Sequence, residues 1–166
     1  MVTNNSANTY IVPTTATEVT QPSQPAFLAY LGTTDSNVTG NGTVYTLGSG
    51  NNLTEVFDQN SDFNVNGTFT APVDGRYLLT FKATISGLAQ ATDFEINLIT
   101  TLRTYMALRN YNATAGSLQK AITIVADMDA TDTATYTIEV NGEAADTGDA
   151  LGAADLRNAV SGCLLV

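Results

Sequence analysis

From Pro25 onward the chain alternates between short runs of Thr, Val, Ile, Tyr and Phe and clusters of Gly, Asn and Asp. Runs of that composition fit a pleated, half-buried surface, and the clusters between them supply turns. The pattern predicts strands over residues 26–31, 43–47, 54–57, 67–71, 75–86, 93–101, 103–109, 117–127, 134–140 and 160–166. Turns are expected at Asp35-Ser36-Asn37, Gly40-Asn41-Gly42, Gly48 to Asn52 and Asn141-Gly142. Ten short strands with frequent turns predict an all-β fold, a sandwich or jelly roll. Leu151 to Val160 reaches at most one helical turn, because Gly152 and the neighbouring turn formers weaken a helix there.

The strands fall into two kinds. In 93–98, Phe94, Ile96 and Leu98 alternate with Asp93, Glu95 and Asn97, and in 134–140, Tyr136, Ile138 and Val140 alternate with Thr135, Thr137 and Glu139. Each has one dry and one wet face. Three other strands are apolar on both. Phe27, Ala29 and Leu31 oppose Leu28 and Tyr30; Tyr77, Leu79 and Phe81 oppose Leu78; Cys163 and Leu165 oppose Leu164 and Val166. The expected core is Phe27, Phe69, Tyr77, Leu79, Phe81 and Leu165. Leu28, Tyr30, Leu78 and Leu164 are left over, and a lone subunit rarely exposes so large an apolar patch. Burying each is worth about 1.5–3 kcal/mol, so these four are expected at a contact between subunits. A loop or the N-terminal segment folded over the same face is the intrachain alternative.

Composition sharpens this picture. The 166 residues suffice for one domain, expected over residues 25–166, after an extended N-terminal arm over residues 1–24. The arm is rich in Thr, Asn, Ser and Pro, and only Tyr10, Ile11 and Val12 are apolar in a row. Those three are the expected attachment contacts of a segment too polar to form its own core. There are 16 acids against 6 bases, a net charge of -10, which argues against a nucleic-acid partner. The absence of His removes Ser-His-Asp and Cys-His centres and His-ligated metals, and one Cys allows no intrachain disulfide. No apolar run has the length of a spanning helix or of a signal peptide, so no membrane partner and synthesis in a host cytoplasm are expected.

Candidate chemistry is sparse. Asp127, Asp129 and Asp132 form the best acidic cluster and could hold Ca²⁺, the one cofactor the residues suggest, although a solvated turn is the simpler reading. Sixteen acids will always place some pair at a glycosidase-like separation, so that signal is empty and a non-enzymatic protein is expected. Arg76, Arg103, Arg109 and Arg157 are scattered in sequence, and Cys163 on its apolar strand reads as a small hydrophobe.

The segment Phe63-Asn64-Val65-Asn66-Gly67-Thr68-Phe69-Thr70-Ala71-Pro72-Val73-Asp74-Gly75-Arg76-Tyr77-Leu78-Leu79 resembles the signature of the globular head of complement C1q, in the C1q and tumour-necrosis-factor jelly-roll superfamily. Pro25 to Ala29 resembles the opening strand of that family and Ser161 to Leu165 its closing strand, with Cys163 in place of an aromatic. Asp132 to Tyr136 is a weaker match to a strand entry. The resemblance implies a C1q-like, ten-stranded jelly roll in a homotrimer, with the sheet of the first and last strands facing the threefold axis. C1q-like domains with short Thr/Asn-rich leaders are similar to phage virion surface proteins. The expected role is therefore a trimeric capsid decoration or cement protein on a virion surface, held by its arm to a larger assembly such as a capsid or tail. The alternative is a tail-fibre tip or adhesin whose loops at 35–42, 48–52 and 141–150 hold a host-surface glycan.

Overall fold

The computed structural model describes residues 23–165; the arm residues Tyr10, Ile11 and Val12 lie outside the described residues. Eleven strands and no helix are present among them: β1 (Ala26–Leu31), β2 (Asp35–Thr39), β3 (Val44–Thr46), β4 (Leu53–Asp58), β5 (Phe63–Asn64), β6 (Thr68–Thr70), β7 (Gly75–Thr100), β8 (Thr104–Met128), β9 (Thr133–Asn141), β10 (Gly148–Ala150) and β11 (Ala159–Leu164). The expected jelly roll is what the chain forms. Two pairs of expected strands are joined, 75–86 with 93–101 in β7 and 103–109 with 117–127 in β8, while β2, β5 and β10 are additional.

The segment Asp35-Ser36-Asn37, expected as a turn, opens β2 instead. Its turn-forming residues are used differently. Asp35 is buried, and its carboxylate accepts hydrogen bonds from the Tyr45 hydroxyl, the Asn51 backbone N–H and the Asn51 amide. Asn37 takes a left-handed φ of 58° and donates its N–H to Asp149. Asn tolerates that conformation better than most residues, so β2 stays paired to β10 despite an irregular register.

β7 and β8 form one long hairpin folded in half. Drawn straight, the 26 residues of β7 would run about 85 Å, far more than a domain this size can span. The pair therefore bends where its register shifts, between Ile85 and Asp93, and Gly87, Ala113 and Gly116 adopt positive φ at the bend. Each half joins a different layer. The first half of β7 and the second half of β8 continue the order β4-β1-β11-β7-β8, which we call the β1 sheet. The second half of β7 pairs with the first half of β8 on one side and with β9 on the other, and β9 carries β3 and β6 on its far side, forming the β9 sheet.

This folding gives the molecule two ends. The start of β1, the end of β11, Gly75, Met128 and the Thr100–Arg103 turn gather at one end, as the Leu164–Tyr77, Gly75–Met128 and Thr101–Thr133 pairings show. The hairpin bend and the loops flanking β10 form the far end, where Asp149 pairs with Ser86 and Thr147 approaches Gly87.

Between the sheets lies the core. Phe27 stacks on Phe63 at 4.7 Å and on Phe69 at 4.9 Å, Phe69 meets Tyr77, and Phe81 meets Tyr136. Phe27, Phe69, Tyr77, Leu79 and Phe81 are all buried. Leu165 is not: it is 44% exposed, beyond the end of β11. The cause lies at Gly162, where an added Cβ would stand 2.5 Å from the Phe27 ring and 2.7 Å from Leu79. Gly162 therefore faces inward with Val160 and Leu164, and strand alternation turns Ser161, Cys163 and Leu165 outward. Leu164, expected at a subunit contact, is consequently half-buried against the core.

Candidate functional site

The outward face of the β1 sheet gathers most of the side chains that the core leaves out. The strand registers lay it out in rows. Ala26, Cys163, Leu78 and Val125 form one row across β1, β11, β7 and β8. Phe57, Leu28, Ser161, Thr80 and Thr123 form the next, and Thr54, Tyr30, Ala159, Lys82 and Ala121 the third. Arg76 opposite Asp127 borders the first row at the terminal end. Leu28, Tyr30, Leu78 and Cys163 are half-buried, while Phe57 is 49% and Val125 51% exposed. Between Leu28 and Tyr30 on β1 and Leu78 on β7, β11 presents the small residues Ala159 and Ser161. Nothing among the described residues folds over it.

No protein-family model and no curated protein matches the chain. Solved structures do. The globular domain of zebrafish complement 1qA protein is 18% identical, with a TM-score of 0.59 over 86% of this chain and 98% of that one. Murine APRIL, in a crystal structure at pH 5.0, is 11% identical, with a TM-score of 0.57 over 86% and 99%. Eiger TNF from S. frugiperda is 10% identical, with a TM-score of 0.58 over 86% and 93%. The chain has the C1q/TNF-like jelly-roll fold. At these identities the likeness concerns the path of the backbone.

Within the C1q/TNF-like frame, the β1 sheet holds the first and last strands, and Leu28, Tyr30 and Leu78 stand on its outward face as the alternation predicts. Leu164 does not; its neighbour Cys163 takes that place. Phe57 and Val125 were missed because they sit on β4 and β8, and only the cross-strand register brings them beside Leu28 and Leu78. A second exposed apolar zone follows β8. That strand bonds to β7 along one side only, and its other side carries no strand among the described residues. Met106 and Leu108 are exposed there, and Tyr105, Ile122 and Ile124 are half-buried.

The three acidic residues proposed for Ca²⁺ are not brought together. Among the described residues, no group of three Asp, Glu, Cys or His side chains could hold a metal ion. Asp127 lies across from Arg76, and the Asp132 carboxylate accepts the Asp129 backbone N–H at 3.0 Å, capping the turn. The Asp74 carboxylate accepts the Ala130 N–H at 2.7 Å. These oxygens tie down a loop at the terminal end.

Other polar groups are buried for structural reasons. Asn158 accepts from the Thr84 N–H and donates to the Thr84 and Leu151 carbonyls, tying the last loop to β7. Glu143 accepts the Ala89 and Gln90 N–H groups at 2.8 Å, holding the hairpin bend. Asp62 lines a surface cleft and has one buried carboxylate oxygen without a partner. Burial and then the Asp58 charge push its carboxyl above the usual range, against a hydrogen bond from Asn60 that lowers it. Burial alone pushes the Tyr136 hydroxyl above the usual phenol range.

Proposed function

We propose that the protein is a non-enzymatic homotrimeric structural protein that closes around the outward face of the β1 sheet. The row Ala26, Cys163, Leu78 and Val125, with Phe57 and Leu28 beside it, carries this reading. Left in water, these side chains forfeit about 1.5–3 kcal/mol for each of the large ones. An isologous pairing would leave the apolar edge of β8 uncovered. If that edge seats on the neighbour's β1-sheet face, each copy gives one surface and receives another, and such heterologous contacts close into a ring. Three copies follow from the resemblance of residues 63–79 to the C1q signature.

The particle-bound role extends the same reading. Gln24 donates its amide to the Leu164 carbonyl and Asn60 donates to the Ser23 carbonyl, so the chain enters the domain at the terminal end. An N-terminal segment bound to a capsid would present the far end outward, which suits a decoration protein on a virion.

Light scattering on the full chain tests the trimer. A mass three times the 17.4 kDa of one chain is expected. A mass of one chain at micromolar concentration overturns it. Cys163, the sole thiol, gives a second readout on the same face: alkylation should be slow in the native protein and fast once it is denatured. Deleting residues 1–22 should leave the mass in proportion while abolishing co-sedimentation with capsids. Undiminished co-sedimentation would remove the attachment role and leave the trimer standing.

A further inference from the structure

At the far end of the β1 sheet, starting at Lys82, a cleft of about 310 Å³ opens between β7, β8 and the 154–158 turn. Lys82, Arg157, Gln119, Ser117, Thr84 and Asp155 line it. The chain has only 6 bases against 16 acids, and Lys82 and Arg157 share this one cleft. Arg157 donates its Nε to both Asp155 carboxylate oxygens, at 3.0 and 3.2 Å, which orients the guanidinium, and its two Nη groups have no hydrogen-bond partner among the described residues. Lys82 has no ion-pair partner among the described residues. Thr84 Oγ1 donates to the Arg157 carbonyl and accepts from Gln119 Nε2 at 3.2 Å. Gln119 is thereby positioned with a second amide N–H to spare, and the Ser117 hydroxyl is uncommitted among the described residues.

The same stretch of β8 is electropositive on its other side. Lys120 stands near Arg109, and burial followed by the Arg109 charge holds the Lys120 amine below its usual range, with Glu95 opposing. Four of the six cations thus bracket residues 117–120, although the molecule as a whole is strongly acidic. Asp155 matches Arg157 and Glu95 faces Lys120, so Lys82 is the cation of the cleft whose charge stands unmatched among the described residues and is open to an anion.

We infer that this cleft binds the carboxylate of an acidic saccharide. Arg157 Nη and Lys82 Nζ would take the carboxylate oxygens by charge-assisted hydrogen bonds. Ser117 and Gln119 would meet the ring hydroxyls. The volume lies at the small end of ligand pockets, about 300–1,000 Å³, the scale of one sugar unit. Every group comes from one chain; Lys82 and Gln119 continue the outward rows of the β1 sheet past Leu28 and Leu78, so the site rests on a subunit contact that ends at those apolar rows, and it lies at the end opposite the N-terminal segment.

Affinity electrophoresis of the full chain in native gels tests the assignment, with alginate as the polyuronate probe and dextran as the neutral control. At about 20 mM salt, where screening is weak, alginate should retard the protein and dextran should not. Lys82→Gln should weaken retardation at least about fivefold, a loss suited to one partly exposed charge contact. Arg103→Gln, with the same change in net charge, should leave it intact. Equal retardation of the two variants overturns the site. Displacement of the protein from alginate by inorganic sulfate as effectively as by equimolar D-glucuronate overturns the saccharide and leaves a bare anion site. Light scattering on Arg157→Gln, whose side chain comes from the 154–158 turn and not from the outward rows, should return the mass of the parent protein. A fall in mass means that the cleft holds a neighbouring subunit's carboxylate, which also overturns the proposal.

Discussion

The two sheets turn very different faces outward, although one continuous hairpin contributes to both. On the β9 sheet the cross-strand rows read Val44, Glu139, Glu95, Leu108 and Thr46, Thr137, Asn97, Met106, with Asn141, Asp93 and Asn110 alongside. Three carboxylates stand together there, and amides separate them. Asn141 donates to Asp93 at 2.9 Å and to Glu139 at 3.0 Å, and Asn97 donates to Glu95 at 2.6 Å. The corresponding rows of the β1 sheet hold Cys163, Leu78, Val125, Leu28 and Phe57. Both layers are antiparallel throughout. The side chains at alternate positions differ: carboxylates and amides hold the centre of one layer, with exposed Val44, Met106 and Leu108 at its margins, and apolar side chains hold the centre of the other, a surface in want of a partner. Glu95 and Glu139 directly opposite each other also repel, which discourages copies from pairing through the wrong sheet.

The largest effect should come from placing a charge in the apolar row. Leu78→Asp is expected to reduce the solution mass threefold to that of a single chain, while Glu95→Lys on the opposite sheet leaves it unchanged. If both variants kept the parent mass by light scattering, the contrast between the faces would lose its functional meaning. A finer contrast lies within β11. Gly162→Ala pushes a methyl group into Phe27 and Leu79 and should cost about 1–3 kcal/mol in urea unfolding. Ser161→Ala, one residue away on the outward side, should change stability by less than about 0.5 kcal/mol. The smallest effect concerns Asp62. Its carboxyl titrates above the ordinary 3.8 in the folded state, so between those two values the folded chain binds more protons than the unfolded one. Its contribution to stability falls as pH rises through that window. Asp62→Asn removes the slope, and the variant should gain on the parent protein in urea midpoints measured upward from the acid side.

The layered fold and most of the core were legible because Phe94, Ile96 and Leu98, or Tyr136, Ile138 and Val140, mark the inward face by simple alternation. β11 carried no such mark. In Ser161-Gly162-Cys163-Leu164-Leu165 neither parity is more apolar than the other, and the decision belongs to the rings of Phe27 and the side chain of Leu79, which occupy the space of a Gly162 side chain. Hence Leu164 and Leu165 were both misassigned. The bend joining 75–86 to 93–101 was hidden for a related reason: Gly87 reads as a strand terminator, yet β7 carries its hydrogen bonding through the corner. The cleft was illegible because its cations, Lys82 and Arg157, come from opposite parts of the chain. Arg157 looked scattered until β11 laid Ala159 beside Lys82. Asp127, Asp129 and Asp132 erred in the other direction: close in sequence, they are used one at a time by the backbone of the turn.

The doubled-over hairpin also has a use. At its crease, where Gly116 pairs with Leu88 and the register shifts on either side, an added Cβ on Gly116 would find no atom within 4 Å. Extra residues spliced in at that point would project as a tether or epitope on the side of the molecule away from both the first and last strands' free ends, without disturbing a single buried ring. The crease is therefore where this scaffold can acquire new sequence at the lowest cost to its architecture.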